Sequence, residues 1–190
     1  MPPARPWARA AHRLVLLAAA GLVALAPQGG AAQTVDQQLA MLPYIPLRDN
    51  LTRYQQATPV EVPDDARAVR TALIRAMKDF KIPVENEKDE NAVLLGTTRM
   101  VKSRELNKEP LSSYLSCGNG VQGPNADLFR LTFAFLAAIE PVAKGTKVTF
   151  FMAGEGRSPE GVSTQPVVCW TRGVLEKRVA DRMKFYLLGG

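Results

Sequence analysis

Few residues in this chain combine the type and the spacing that chemistry requires, and the clearest are two cysteines. Cys117 and Cys169 are the only cysteines in 190 residues. In an oxidising compartment an even pair predicts a disulfide, whereas redox-active cysteines usually lie close together as Cys-x-x-Cys. A disulfide that closes a loop of about 50 residues stabilises a fold by roughly 4 kcal/mol in the chain-entropy account. We therefore expect a structural crosslink.

The single histidine, His12, lies in a segment with the pattern of a secretory signal. Three arginines and no acid precede the apolar run 14–26, and the small residues Gly30-Ala31-Ala32 follow it. This pattern predicts a signal peptide, 1–32, cleaved near Ala32. No cysteine follows the apolar run for lipid attachment, and no segment reaches the roughly 20 apolar residues that span a bilayer. We therefore expect a periplasmic or secreted product with no transmembrane segment in the mature chain.

Loss of His12 with the signal peptide would leave the mature chain without an imidazole. Ser-His-Asp and Cys-His catalysis need an imidazole base, and most catalytic zinc sites use histidine ligands. We therefore expect no enzyme activity, no cofactor and no metal site. The formal net charge of +6 includes the three arginines of the signal segment. The remaining charge, about +3, is too small to favour nucleic-acid binding.

Two further motifs have ordinary structural explanations. Residues 118–123 read Gly-Asn-Gly-Val-Gln-Gly and match the dinucleotide-binding pattern, but that pattern must follow a strand and open a helix, and Pro124 comes next. We interpret the motif as a glycine-rich turn. Glu85, Glu87 and Asp89 alternate as calcium ligands can, but the glycine and the closing acid of a calcium loop are missing. We interpret this segment as a solvated turn.

A basic run near aromatic residues is the best candidate for a partner surface. Arg99, Lys102 and Arg104, with Tyr114 nearby, can bind an acidic partner, although such runs are often solvated strand ends. Trp170, directly after the second cysteine, either packs over the disulfide or stands exposed as a binding anchor. We favour packing, because large aromatic side chains are highly buried on average.

Two predicted amphipathic helices would position these residues. Asp64 or Asp65 caps the first, which runs to about Asp79. Thr171 caps the second, which runs to about Leu188. Each helix has apolar residues at intervals of three or four. These stripes are Ala66, Val69, Leu73, Met77 and Phe80 in the first helix, and Leu175, Val179, Met183 and Tyr186 in the second.

Alternating apolar residues predict strands in most of the remaining chain. The predicted strands are 59–62, 81–84, 92–101, 127–140 and 146–154. The last two form a hairpin around a turn at 141–144. Its buried face carries Phe129, Leu131, Phe133, Phe135, Ala137 and Ile139 opposite Val148, Phe150 and Met152. Residues 102–125 have no clear period, which predicts a long loop.

The element order β-α-β-β-β-β-α, with short turns between strands, predicts an α+β fold. We expect a single α+β domain, 58–190, in which an antiparallel sheet of four or five strands packs on two helices in a helix-grip-like layout. Residues 33–57 predict an irregular N-terminal strap with a short helical turn at 35–41. The roughly 158 residues that remain after cleavage suffice for one domain with a core.

One pattern resembles that of uncharacterised secreted bacterial proteins: Tyr114-Leu115-Ser116-Cys117-Gly118 with Gly123-Pro124, then a hairpin, then Cys169-Trp170-Thr171-Arg172-Gly173-Val174-Leu175-Glu176. The resemblance implies a fold and an extracytoplasmic compartment, and no particular reaction. The element order is also similar to the helix-grip domains of the outer-membrane assembly lipoprotein BamC. That similarity is one of layout, since the lipid-attachment cysteine is missing here.

Three functional hypotheses follow. The first is a non-catalytic cell-envelope domain that binds a protein partner or supports an assembly through its long loop. The second is a carrier of a small apolar ligand or lipid, in a cavity lined by Phe133, Phe135, Phe150 and Met152. The third is a hydrolase with two carboxylates roughly 5–10 Å apart across a cleft.

Overall fold

The computed structural model describes four stretches of the chain, residues 34–40, 59–89, 93–159 and 165–190. The predicted signal peptide, 1–32, and most of the predicted strap lie outside the described residues. The described helices are α1 (Val35–Ala40), α2 (Ala66–Asp79), α3 (Asn125–Leu128) and α4 (Val174–Leu187), with a 3₁₀ turn at Leu111–Ser113. The described strands are β1 (Val60–Val62), β2 (Leu94–Ser103), β3 (Glu105–Leu106), β4 (Glu109–Pro110), β5 (Leu115–Ser116), β6 (Asn119–Gly120), β7 (Gly123–Pro124), β8 (Arg130–Val142), β9 (Gly145–Arg157) and β10 (Val167–Thr171).

Six strands form one antiparallel sheet. Five of them lie in the order β2-β8-β9-β10-β5. The sixth, β1, pairs with the start of β9, whereas β10 pairs with the end of β9. The long helices α2 and α4 share one apolar cluster with a face of this sheet. The predicted α+β class, with an antiparallel sheet packed on two helices, is therefore confirmed. The sheet has six strands rather than four or five, because the sequence gives no strand signal for β5 or β10.

The hairpin of β8 and β9 forms the centre of the sheet. Its 13-residue strands pair in unbroken register from Val142 opposite Gly145 to Arg130 opposite Arg157. Gly145 has φ of +124°, and a Cβ there would lie 2.1 Å from the main-chain oxygen of Val62, so only glycine fits. The expected buried face is confirmed. Every second residue from Leu131 to Ile139, and from Val148 to Met152, belongs to the core under the helices.

The capping of the two long helices follows the prediction in one case only. Asp65 caps α2, and its carboxylate accepts hydrogen bonds of 2.9 Å from the main-chain N–H groups of Arg67 and Ala68. The predicted cap Thr171 is wrong: the N-cap of α4 is Gly173, which has φ of 72°. A β-branched residue resists that left-handed conformation, whereas glycine adopts it freely. Thr171 instead lies at the end of β10.

The second face of the sheet also buries apolar side chains. Small and large residues of the three strands β2, β8 and β9 form a separate cluster there: Leu94, Ala134, Leu136, Ala138, Phe151 and Ala153. Leu39 of α1 belongs to this cluster, and Val35 packs against it. The helical turn expected at 35–41 is thus present as α1, and it covers the middle of this face.

Two predicted strand positions are wrong. Residues 82–84 are not a strand: Lys81 has φ of 56°, and the N–H of Ile82 donates to the carbonyl of Met77 as the chain leaves α2. Pro83 has no N–H with which to pair. The strand expected from Asp127 starts at Arg130, because 125–128 form α3 and the N–H of Phe129 donates to the carbonyl of Asn125.

The long loop expected at 102–125 is a series of short elements. Strands β3 and β4 form a small hairpin whose turn residues, Asn107 and Lys108, both have positive φ, as a type I′ turn requires. The glycine-rich motif at 118–123 forms the hairpin of β6 and β7, consistent with its interpretation as a turn. The polar turn expected around Glu85 is present at 85–88.

A disulfide joins Cys117 to Cys169 and confirms the expected crosslink. Both cysteines are buried in the main core. Cys117 directly follows β5, and Cys169 lies in β10, the strand with which β5 pairs. Strand β5 contributes two paired residues, Leu115 and Ser116, and the disulfide adds a covalent link between the segment 102–125 and the sheet.

We predict that the double variant Cys117→Ala/Cys169→Ala unfolds about 2–4 kcal/mol more easily than the native chain, because the disulfide closes a span of 52 residues. Urea unfolding followed by circular dichroism measures the difference. Dithiothreitol should lower the native midpoint towards that of the variant and leave the variant unchanged. Equal stability of the native chain and the variant without dithiothreitol would show that the crosslink is dispensable.

Candidate functional site

A cavity of about 570 Å³ opens on the second face of the sheet, at the end away from the β8–β9 turn. Its lining residues, which define the arginine groove, are Thr98, Arg99, Val101, Arg130, Thr132, Glu155 and Arg157. Its floor is one row of register partners across the sheet: Val101 of β2, Thr132 of β8 and Glu155 of β9. Val168 of β10 continues this row.

A β-bulge in β2 positions Arg99 in the groove. The register of β2 with β8 shifts between Thr97 and Met100, which leaves Thr98 and Arg99 without single register partners. The Glu85 carboxylate holds the bulge, since it accepts hydrogen bonds from the Thr97 hydroxyl at 2.6 Å and from the Thr98 N–H at 3.3 Å. The N–H of Arg99 in turn donates to the Thr97 hydroxyl at 3.2 Å.

The groove concentrates positive charge. Arg130 and Arg157 lie directly opposite one another in the β8–β9 ladder, and like charges in that position destabilise a sheet. Among the described residues, Glu155 is the one acid in the lining, and its Oε1 lies 3.6 Å from the nearer Arg157 nitrogen. Three guanidinium groups therefore face one carboxylate. Folding alone does not favour this arrangement, and an anionic ligand would neutralise it.

Two residues of the predicted partner surface lie on the groove face. Arg99 lines the groove itself. Trp170 is the register partner of Ala153, one row from Glu155, and is half-buried. The preferred interpretation, that Trp170 packs over the disulfide, is wrong, because successive residues of a strand face opposite sides and Cys169 lies in the core on the helix side.

The structure separates the other three predicted residues from the groove. Lys102 pairs with Leu131 and therefore lies on the helix side of the sheet. Arg104 follows β2 in a left-handed conformation, φ 68°. Tyr114 is fully buried, and its hydroxyl oxygen lies 3.1 Å from Arg178 Nη1; burial raises the pKa of this hydroxyl. The basic run of the sequence is thus not one surface.

Three groove residues, Arg130, Glu155 and Arg157, were not predicted from the sequence as parts of a binding site. The hairpin register could have identified the two arginines, because a turn centred on 143–144 pairs Arg130 with Arg157 across 26 intervening positions. The predicted second strand ended at Gly154, three residues short of its observed end. Without those residues, the pairing of the two arginines could not be inferred.

No match to this chain was found among protein-family models, curated proteins or solved structures. Within the described stretches, none of the helices has the length and apolar character needed to cross a bilayer. Across the same stretches, no three His, Cys, Asp or Glu side chains are grouped in a way that could hold a metal ion.

The structure places the suggested apolar lining in the main core, between the sheet and the long helices. Phe133, Phe135, Phe150 and Met152 all lie in the main core, and the rings of Phe135 and Phe150 have centroids 6.0 Å apart. None of the four lines the arginine groove. The hydrolase hypothesis needs two carboxylates, and among the described residues the groove offers that of Glu155.

Glu176 is the carboxylate that the structure perturbs most clearly. It lies in the first turn of α4 with 2 % of its surface exposed, and its Oε1 accepts a hydrogen bond of 2.5 Å from the Thr171 hydroxyl. Its Oε2 has no hydrogen-bond partner among the described residues. Burial raises the pKa of this carboxyl, although the Thr171 hydrogen bond opposes the shift. Glu176 does not line the groove, so we assign it to folding.

The raised pKa of Glu176 predicts that stability falls as the pH rises. Below the ordinary value of 4.5 both folded and unfolded chains hold the proton. Above it the unfolded chain ionises first, so the free energy of unfolding decreases until the pH passes the raised folded-state pKa. Urea titrations from about pH 4 to pH 8 should show a smaller decrease for Glu176→Gln. An equal flattening in Asp181→Asn, an exposed acid of the same helix, would contradict this assignment.

The like-charged pair in the groove makes a second prediction. Arg130→Thr should raise the free energy of unfolding by about 0.2–1 kcal/mol at low salt, because it removes cross-strand repulsion. Lys147→Thr is the matched control, since Lys147 lies on the same face of the same hairpin, 2.7 Å from its opposite partner Glu140. That control should destabilise. Equal destabilisation by both changes would show that the arginine pair carries no repulsion.

Proposed function

We propose that this chain is a non-catalytic binding domain of the cell envelope, periplasmic or secreted, and that its arginine groove binds acidic side chains of a protein partner. The observation that carries the proposal is the convergence of Arg99, Arg130 and Arg157 on one cavity, in which Glu155 is the single acid among the described residues. Guanidinium groups pair with carboxylates through two parallel hydrogen bonds. An acidic segment of a partner would therefore balance the excess of positive charge among the described lining residues.

The surroundings of the groove suit a protein partner better than a free ion. Val101 and Val168 are 38 % and 39 % exposed beside the charged residues. The half-buried Trp170 lies on the same face of the sheet. Arginine and tryptophan are the residue types enriched at binding hot spots. A cavity with an apolar border thus offers both charge and apolar contact to a polypeptide.

Two features support the compartment and the absence of catalysis. The buried disulfide suits an oxidising environment outside the cytoplasm, in agreement with the predicted signal peptide. The groove lining supplies guanidinium and hydroxyl groups with one carboxylate, which is a set for binding an anion. Carboxylate-dependent hydrolysis would require a second acid across the cavity.

Site-specific photo-crosslinking tests this proposal. A photoreactive residue is placed at Val101, in the groove, or at Val142, which is 37 % exposed at the far end of the same sheet. Each full-length protein is illuminated in envelope extract of the source organism, and crosslinked peptides are sequenced. We expect one partner captured through an acidic segment at Val101 only, and its loss when Arg130→Gln and Arg157→Gln are added. Equal capture at both positions would refute the proposal. So would capture that persists in the arginine variants, or no capture at all.

A further inference from the structure

A second cavity, of about 730 Å³, lies on the helix side of the sheet. It separates the outer flank of α2 from the ends of β2 and β8. Its apolar floor is formed by Ile74, Val93 and Ile139. We call this cavity the helix cleft. It lies on the opposite side of the sheet from the arginine groove and shares no lining residue with it.

The rim of the helix cleft is basic. Arg67, Arg70, Arg75 and Lys78 of α2 all line it, because their spacing places them along one flank of the helix. Among the described residues, the acid in the lining is Glu87, and it already forms an ion pair of 2.6 Å with Lys78. The net charge of the rim therefore depends on the arginines.

Two of these arginines, Arg67 and Arg75, form no ion pair with an acidic side chain of the described residues. Among the described residues, the guanidinium group of Arg67 contacts no acid. That of Arg75 lies 3.9 Å from the centre of the Tyr186 ring and 3.4 Å from the main-chain oxygen of Gly190. The ring contact fixes Arg75 at the rim, because a cation over an aromatic face is attracted without being neutralised. The Tyr186 hydroxyl is itself held by a 2.5 Å hydrogen bond to Asp79.

We infer that the helix cleft binds an amphiphile with an anionic head group, whose hydrocarbon part covers the apolar floor while Arg67 and Arg75 hold the head. The volume of the cleft lies within the range of small-molecule pockets, about 300–1,000 Å³. The aliphatic stems of the arginines add apolar surface beside the chain of the ligand, because such stems pack along apolar groups with the charge at the end. This site is independent of the proposed function.

Binding of four probes by calorimetry, with each amphiphile below its micelle concentration, tests the inference on the full chain. Dodecyl phosphate and dodecanoate carry a head charge and a chain, inorganic phosphate has no chain, and dodecyl maltoside has no charge. We expect saturable one-site binding of an anionic amphiphile. Comparison of the affinities for dodecyl phosphate and dodecanoate then shows whether the site prefers a phosphate or a carboxylate head group. Equal affinity for inorganic phosphate or for dodecyl maltoside would overturn the inference, and so would the absence of binding.

Variants locate the binding in the helix cleft. Arg67→Gln should weaken the binding of the anionic amphiphile about tenfold, the effect of losing one charge-assisted hydrogen bond. Ile74→Asn should weaken it by removing apolar floor. Lys184→Gln is the control, since it removes an exposed charge of α4 outside the cleft and should change affinity less than about twofold. Circular dichroism confirms that each variant is folded. Binding that Arg67→Gln and Lys184→Gln weaken equally would refute this location.

Discussion

The register of the β8–β9 hairpin is the constraint on which the rest of the structure depends. A slip of one residue would turn Phe133 and Phe135 towards the second face and bring Ala134 and Leu136 under the helices. Gly145 at the turn prevents such a slip. Any other residue in its place would bring a side chain against the main-chain oxygen of Val62. Both long helices pack on one face of this hairpin and α1 packs on the other. The same register brings Arg130 opposite Arg157 and so creates the groove.

Periodicity was sufficient to predict the long elements. In α2, α4, β8 and β9 many apolar residues repeat in phase, so each element is identified by its own sequence. Strand β5 has two residues, and β10 has five residues that pair with β9 only in the folded chain. Such strands are stabilised by distant partners and leave little local signal. The false strand at 82–84 shows the converse, because Ile82 is 2 % exposed yet packs in the core from an irregular segment.

The candidate site was predictable only in part, and the reason is geometric. Arg99 and Lys102 are close in the sequence, but the strand places them on opposite faces of the sheet. Arg130 and Arg157 are distant in the sequence and adjacent in the hairpin. Tyr114, next to the basic run, lies in the core, where its hydroxyl accepts a hydrogen bond from Arg178. Clusters of charge on a sheet therefore follow strand pairing rather than proximity along the chain.

The turn that precedes β2 has a consequence for how copies of this protein coexist. Strand β2 is an edge of the sheet, and an open edge offers free main-chain groups to a strand of another molecule. Here the N–H of Glu85 occupies the carbonyl of Gly96, the Asn86 amide occupies that of Leu94, and the Glu85 carboxylate occupies the N–H of Thr98. The bulge that follows bends the strand away from flat pairing. In the first half of this border, from Leu94 to Thr98, fewer main-chain groups therefore remain free to pair with a strand of another molecule.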